Sequence, residues 1–108
     1  GAKPRLVDVG EDYLMNTSKI EKLINKKTKA IIPVHLYGQS CDMDKINKIA
    51  KKYNLFVIED NCEALGGKFN NKYLGNIGDI GTYSLDFGKI ITTGEGGFIT
   101  TNSPESST

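Results

Sequence analysis

The segment AIIPVHLYGQSCDMDKINKIAKKYNLFVIED, residues 30–60, contains two apolar runs with an amphipathic stretch between them. The first run, residues 30–36, is typical of a strand covered on both faces, although Pro33 weakens it as a ladder element. Over residues 42–53 the apolar side chains recur at helical spacing, with lysines on the other side. Residues 55–58 predict the next strand. This alternation indicates an α/β fold with a mostly parallel sheet and helical crossovers.

Weaker patterns lie on both sides of this unit. Residues 6–9 predict a strand, and Ser18 with Glu21 forms a capping-box signature for a short helix whose Ile20 and Leu23 share a face. Downstream, the Asn-Asn pair in residues 68–73 predicts a β-hairpin. Two further strands are predicted at residues 80–84 and 98–101, and residues 103–108 form a polar end.

Composition limits the classes of function. A chain of 108 residues is one domain at most, and its net charge of +1 with scattered lysines disfavours nucleic acid or an anionic membrane as partner. No apolar run approaches the ~20 residues that cross a bilayer, and the first residues lack the apolar core of a signal peptide. We therefore expect a cytoplasmic protein with reduced cysteines. Neither cysteine belongs to a CxxC pair, so no metal site is predicted.

The end of the strand at residues 55–58 is a candidate ligand site, because open parallel sheets bind ligands at the carboxyl ends of their strands. Glu59 and Asp60 follow that strand directly and point to opposite sides of it, so at least one should lie against the sheet. A structural alternative is that Asp60 only caps a turn. His35, the single histidine, is more often a hydrogen-bonded structural residue than a catalyst.

The stretch SLDFGKIITTGEGG, residues 84–97, places one lysine between a serine and a group of glycines. It is not a P-loop, because Lys89 is followed by Ile90 and no glycine stands five residues before Gly88. Taken alone, Lys89 would be a solvated surface lysine, and the glycines would mark a tight turn before the last strand.

Four blocks together are more specific than any one of them: AIIPVHLYGQ (30–39), VIED (57–60), LGNIGDIGTYS (74–84) and GKIITTGEGGFITTN (88–102). In this order and at these separations they resemble the DegT/DnrJ/StrS family of pyridoxal-phosphate-dependent sugar aminotransferases. The resemblance implies the aspartate-aminotransferase-like fold, fold type I, with residues 1–102 as an incomplete central portion of the cofactor-binding large domain. It further implies a homodimer and transfer of an amino group, usually from glutamate, to a nucleotide-linked keto sugar in amino-sugar or polysaccharide biosynthesis.

The same resemblance implies roles for four residues. Lys89 matches the catalytic lysine that bonds to the cofactor aldehyde, and Asp60 matches the carboxylate paired with the pyridine nitrogen. Ser84 matches the serine that binds the phosphate. Glu63 stands where many members carry a glutamine beside the phenolic oxygen of the cofactor, which is a departure from the pattern. Because upstream and downstream segments of the family are missing, we expect the chain alone to be inactive.

Three alternatives remain open from the sequence. A related branch removes a sugar hydroxyl with pyridoxamine phosphate and has histidine at the lysine position; residues 59–70 resemble it, but Lys89 favours transamination. A catalytically silent module derived from the same fold is the second alternative. The third is a receiver-like or phosphatase-like domain in which Asp60 accepts phosphate, with Asp8 and Glu59 as its only nearby acids for magnesium.

Overall fold

A computed structural model describes residues 1–102, and the predicted polar end at residues 103–108 lies outside the described residues. The main sheet has four strands: β1 (Ala30–Ile31), β2 (Phe56–Asp60), β5 (Ile80–Ser84) and β6 (Gly97–Thr101). They lie in the order β1-β2-β5-β6. The first three run parallel, whereas β6 is antiparallel to β5. The predicted α/β fold with a mostly parallel sheet is confirmed.

The helix between β1 and β2 is α1 (Met43–Tyr53), as its apolar spacing predicted. The Asp42 side chain caps its first turn by accepting a hydrogen bond from the Lys45 amide at 3.2 Å. Asn54 ends it in the left-handed conformation, with φ of 52°. Its buried residues join Ile31 and Val57 of the sheet in one hydrophobic core: Met43, Ile46, Ile49 and Ala50. In residues 1–102 no helix is long and apolar enough to span a membrane.

Strand β1 is shorter than the apolar run that predicted it. Pro33 has no amide hydrogen, so the ladder between β1 and β2 breaks after Ile31. Pairing resumes beyond the proline, where the Asp60 amide donates to the Pro33 carbonyl at 2.9 Å and the His35 amide donates to the Asp60 carbonyl at 3.0 Å. The chain thus stays beside β2 up to the end of that strand.

The expectations for the first part of the chain were wrong. Residues 6–9 form no strand; Val9 makes only an isolated bridge with Met15. The predicted helix is two short 3₁₀ turns, Thr17–Lys19 and Glu21–Leu23. Asn16 takes the capping position instead of Ser18, because its side chain accepts the Ser18 amide at 3.1 Å and fixes a turn there.

The second half of the chain follows the prediction closely. A hairpin joins β3 (Lys68–Phe69) to β4 (Lys72–Tyr73). Asn70 and Asn71 form its turn with positive φ angles of 47° and 63°, as asparagine tolerates. Strands β5 and β6 are confirmed.

The two faces of the main sheet differ in what covers them. Val57 and Glu59 of β2 face α1 and are buried. The opposite face carries Ile32, Phe56 and Ile99, which are 53%, 63% and 68% exposed. Asp60 belongs to this open face because side chains alternate along a strand.

Glu59 is fully buried on the face of the sheet that packs against α1, and its carboxylate accepts hydrogen bonds from four donors. Its Oε1 accepts hydrogen bonds from His35 Nε2 at 2.9 Å and from the Gly75 amide at 2.8 Å. Its Oε2 accepts from the amides of Ile77 and Gly78 at 2.7 and 2.6 Å. Burial raises the pKa of Glu59, but these hydrogen bonds outweigh it, and the pKa lies below its usual value of 4.5.

The protonation state of His35 follows from its second nitrogen. Nδ1 accepts a hydrogen bond from the Cys41 amide at 3.1 Å, so that nitrogen carries no proton. Burial lowers the pKa of His35, and hydrogen bonds with Cys41 and Glu59 raise it above its usual value. A proton on Nδ1 would nevertheless face the Cys41 amide hydrogen, so the geometry requires a neutral ring that donates through Nε2 to Glu59. The expectation that His35 is a hydrogen-bonded structural residue is confirmed.

We predict that Glu59→Gln lowers the free energy of unfolding by about 2–3 kcal/mol, because an amide NH₂ would face backbone N–H donors in a buried site. Urea titration measures the loss. Glu63→Gln is the matched control: Glu63 is exposed, so its change should stay within about 0.5 kcal/mol.

The difference between the wild type and Glu59→Gln should also depend on pH. Folding lowers the pKa of Glu59, so its contribution is complete above pH 4.5 and declines as the pH falls through the folded value. The two proteins should therefore converge in stability below pH 4.5. A gap that stays constant down to pH 3 would contradict this.

Candidate active site

Asp60 lies at the carboxyl end of β2, on the open face of the sheet. It is in register with Thr82 of β5 and bridges to Val34, so three neighbouring side chains form one row across this edge. Its Oδ1 accepts the Cys62 amide at 3.1 Å, which closes a turn after the strand. The structural alternative for Asp60 is thus correct in part: the carboxylate caps a turn and also faces the strand-end site where ligands bind.

The pKa of the Cys62 thiol is shifted by its surroundings. Burial and the Asp60 carboxylate raise the pKa of this thiol, whereas Thr82 and the ammonium of Lys89 lower it. Asp60 and Lys89 thus act in opposite directions on the pKa of this thiol.

Lys89 is half-buried in the loop between β5 and β6. Its amide donates to the Asp86 carbonyl at 3.0 Å, which closes a turn around Gly88. The base of the loop is held by hydrogen bonds from the Thr93 amide to Leu85 and from the Leu85 amide to Gly96, at 3.0 and 2.9 Å. This closed loop carries Lys89 and returns the chain to β6.

Ser84 is the last residue of β5 and shares the face of Thr82, two residues before it. Its Oγ accepts the Asp86 amide at 3.3 Å, a long hydrogen bond that leaves the hydroxyl proton available to a ligand. Asp60 and Ser84 thus lie on the same face of the sheet, and Lys89 follows in the loop after β5.

Glu63 is placed differently from the other three candidates. It lies three residues beyond Asp60 with an exposed side chain, and among residues 1–102 no hydrogen bond joins that side chain to Asp60 or Lys89. Its carbonyl accepts the Gly38 amide at 3.1 Å, which connects its loop to the turn after β1.

This donor set fits a cofactor with an aldehyde, a pyridine nitrogen and a phosphate. The carboxylate of Asp60 suits a protonated ring nitrogen, the hydroxyl of Ser84 suits a phosphate oxygen, and the amine of Lys89 suits an aldehyde carbon. Asp60 and Ser84 end neighbouring strands on the open face, and Lys89 lies in the loop that follows β5.

The sequence interpretation missed how Glu59 fixes this edge. The segment LGNIGDIG, residues 74–81, contained a signal of this arrangement, because the amides of Gly75 and Gly78 donate hydrogen bonds to Glu59. A side chain at Gly75, whose φ is 92°, would collide with the Tyr83 ring. The spacing of the glycines thus reflects a loop wrapped around a carboxylate.

The receiver-like alternative finds no support in these positions. Asp8 pairs with Lys19 at 2.9 Å, and Glu59 lies on the opposite face of the sheet from Asp60. Among residues 1–102 no three side chains of the metal-binding types converge.

Comparison with known proteins identifies relatives across the whole chain. Residues 1–108 match the family model described as the DegT/DnrJ/EryC1/StrS aminotransferase family. The GDP-perosamine synthase of Caulobacter vibrioides is 53% identical over 103 residues, which cover 94% of this chain and 28% of that protein. The chain therefore spans about 28% of the length of this curated relative.

Solved structures agree with the same assignment. The X-ray structure of an aminotransferase from Psychrobacter cryohalolentis matches with a TM-score of 0.92 and 44% identity over 95% of this chain and 27% of that one. The Escherichia coli GDP-4-keto-6-deoxy-D-mannose-3-dehydratase with bound hydrated PLP matches with a TM-score of 0.84 and 37% identity, covering 92% of this chain and 26% of that one. The predicted fold type I architecture is confirmed.

The position of Cys62 gives a test of the site that needs no cofactor. We predict that Lys89→Ala raises the apparent pKa of Cys62 alkylation and that Asp60→Asn lowers it, because each variant removes one opposing charge. The rate of iodoacetamide labelling against pH, with the label located by mass spectrometry, measures both. Cys41 is 0% exposed and should stay unlabelled. Identical profiles in all three proteins would mean that Lys89 and Asp60 do not share this site.

Proposed function

The chain belongs to the DegT/DnrJ/EryC1/StrS aminotransferase family, and from that premise we propose that it carries the central part of a sugar aminotransferase site. The complete protein would transfer an amino group from an amino acid, with glutamate as the expected donor, to a nucleotide-linked keto sugar for amino-sugar or polysaccharide biosynthesis. Support comes from the relative named GDP-perosamine synthase at 53% identity. The observation that carries the proposal is that Asp60 and Ser84 end neighbouring parallel strands on the same open face of the sheet, with Lys89 in the loop that follows Ser84.

We propose pyridoxal 5'-phosphate as the cofactor, with Asp60, Glu63, Ser84 and Lys89 as its binding residues. When bound, this cofactor supplies an aldehyde carbon and an electron-withdrawing ring that can accept carbanion charge. The E. coli dehydratase, 37% identical to this chain, is a relative whose solved structure holds hydrated PLP.

Lys89 is the proposed catalytic residue. Its Nζ would bond to the cofactor aldehyde in the resting enzyme and be displaced by the amine of the incoming donor. The released Nζ would then remain beside the reacting carbon and move a proton to or from it. The hydrogen-bonded loop around Lys89 limits how far that amine can travel.

The other three residues would orient the cofactor. Asp60 would hold a proton on the pyridine nitrogen, and Ser84 would donate its hydroxyl proton to the phosphate. Glu63 would approach the phenolic oxygen only if its exposed side chain turned inward, and a carboxylate there would alter the charge near the ring.

Lys89 also separates transamination from dehydration. The dehydrase branch of the family resemblance carries histidine at this position, so an amine here favours transamination. A silent module would have no need for a lysine, a carboxylate and a serine on one face. We therefore favour a sugar aminotransferase over a dehydrase and over a catalytically silent module.

We further propose that the complete enzyme is a cytoplasmic homodimer. The loop that carries Lys89 exposes Phe87 and Ile90, at 85% and 74%, which is unusual for side chains that face only water. A second subunit packed on this loop would cover both residues and close the site.

In the full-length protein, Lys89→Ala should abolish the absorbance band that pyridoxal phosphate produces near the visible edge and reduce transamination by roughly a thousandfold. Borohydride reduction of the wild type should leave cofactor mass on Lys89 alone. Lys72→Ala, which removes an exposed lysine of β4, is the matched control and should keep band and activity. A band that survives in Lys89→Ala would place the covalent bond elsewhere.

The 108-residue chain alone should not transaminate, because displacements of about 1 Å can cost on the order of a hundredfold in rate and only part of the site is present. The chain would be mixed with cofactor, glutamate and a nucleotide-linked 4-keto-6-deoxy sugar, and amino sugar would be sought by mass spectrometry. Turnover that depends on Lys89 would show that this segment holds a complete site.

A further inference from the structure

Two tyrosines adopt a backbone conformation that the rest of the chain gives to asparagine and glycine. Among residues 1–102, five residues other than glycine have positive φ angles: Tyr13, Tyr37, Asn54, Asn70 and Asn71. Asparagine tolerates this left-handed region, whereas a bulky side chain is strained there. Strained residues that persist in a fold are often functional. The two tyrosines therefore need an explanation that the asparagines do not.

Tyr37 occupies the first central position of a tight turn. The Gln39 amide donates to the Leu36 carbonyl at 3.0 Å, and Tyr37 and Gly38 between them have φ angles of 54° and 77°. Two consecutive positive φ angles characterise the type I′ turn, in which asparagine, aspartate or glycine is the favoured first residue. The turn itself therefore gives no reason for an aromatic ring.

This turn lies at the edge of the sheet where the candidate site is located. Val34, three residues before Tyr37, bridges to Asp60. The next residue, Gly38, donates its amide to the carbonyl of Glu63, three residues after Asp60, at 3.1 Å. The Tyr37 turn and the loop at residues 60–63 therefore run side by side.

The ring of Tyr37 contributes little to the packing of the described fold. It is 74% exposed, and within residues 1–102 its hydroxyl makes no hydrogen bond. A strained, exposed aromatic side chain beside the loop that follows Asp60 is thus available to a ligand.

We propose that the ring of Tyr37 packs against the hexose ring of the nucleotide-linked keto sugar and positions it at the site. This inference rests on the proposed function. The reacting carbonyl belongs to the hexose, so that ring must come close to Asp60 and Lys89. An aromatic ring offers the flat apolar surface that the C–H groups of a sugar ring can cover, and it loses little conformational freedom in doing so.

The amino donor is a poorer match for Tyr37. Its carboxylates require cationic or N–H partners, and a phenol ring supplies neither charge nor a guanidinium fork. The nucleobase is the remaining candidate, because bases also stack on aromatic rings. It is attached beyond the phosphates, farther from the reacting carbon than the hexose is.

The test uses the full-length enzyme with L-glutamate and GDP-4-keto-6-deoxy-D-mannose. Tyr37→Asn should raise KM for the sugar about tenfold, the loss typical of truncating an aromatic contact, with KM for glutamate unchanged. Tyr37→Phe keeps the ring and should stay within about threefold of the wild type. The inhibition constant of GDP should not change.

Tyr13→Asn is the matched control, because Tyr13 is also an exposed tyrosine with positive φ, 67% exposed at 65°. Both asparagine variants should shift the unfolding equilibrium about threefold toward the folded state, since asparagine relieves the strained backbone. Only Tyr37→Asn should raise KM for the sugar.

Each other outcome overturns the inference. A rise in KM for glutamate would assign Tyr37 to the donor, and a rise in the inhibition constant of GDP would assign it to the nucleotide. Lower stability of Tyr37→Asn would make the ring a packing element, and an equal rise in KM for the sugar in Tyr13→Asn would show that the effect is not specific to Tyr37. If the wild type is active and Tyr37→Asn is unchanged, only this inference fails; if the wild type neither binds nor converts the sugar, the proposed function fails with it.

Discussion

The buried carboxylate of Glu59 is the interaction on which the sheet edge depends. It joins three segments that are distant in sequence: its own strand, β2, the residues after β1 through His35, and the loop before β5 through Gly75 and Gly78. A buried charge with one partner would destabilise the fold, but four donors satisfy this one. The hydrogen bonds that offset the cost of burying this charge therefore also hold the three segments in a fixed arrangement.

The position of Asp60 follows from that arrangement. Because neighbouring residues of a strand point to opposite faces, holding Glu59 beneath the sheet directs Asp60 to the open face. The backbone of Asp60 is fixed as well, since it exchanges hydrogen bonds with Pro33 and His35 on the adjacent segment. One acid therefore has a structural role, and its neighbour is positioned for a ligand.

Lys89 is supported in a different way. Its loop is closed by short-range hydrogen bonds among residues 84–96 and not by core packing. Such a loop can respond to a ligand or a second subunit, while the strand ends beneath it stay fixed. The exposed apolar face around Phe56 and Ile99 is consistent with a segment that belongs to a longer protein.

The sequence alone determined the elements whose signals are local. The amphipathic stripe of residues 43–53, the Asn70-Asn71 turn and the apolar run before Glu59 each specify their structure within a few residues. The first part of the chain was misjudged, because Asn16 competes locally for the capping position and residues 6–9 find only one bridging partner, at Val9. The four sequence blocks also identified the candidate site residues, through a resemblance.

Only the tertiary structure decided which of two adjacent acids is buried. Glu59 and Asp60 are equivalent in a sequence, and what distinguishes them is the loop that brings the Gly75, Ile77 and Gly78 amides to one carboxylate from 16 to 19 residues away. The left-handed backbone of Tyr37 is likewise invisible in the sequence, because no local pattern predicts a tyrosine there. Both features depend on long-range contacts, which form only when the strands are assembled.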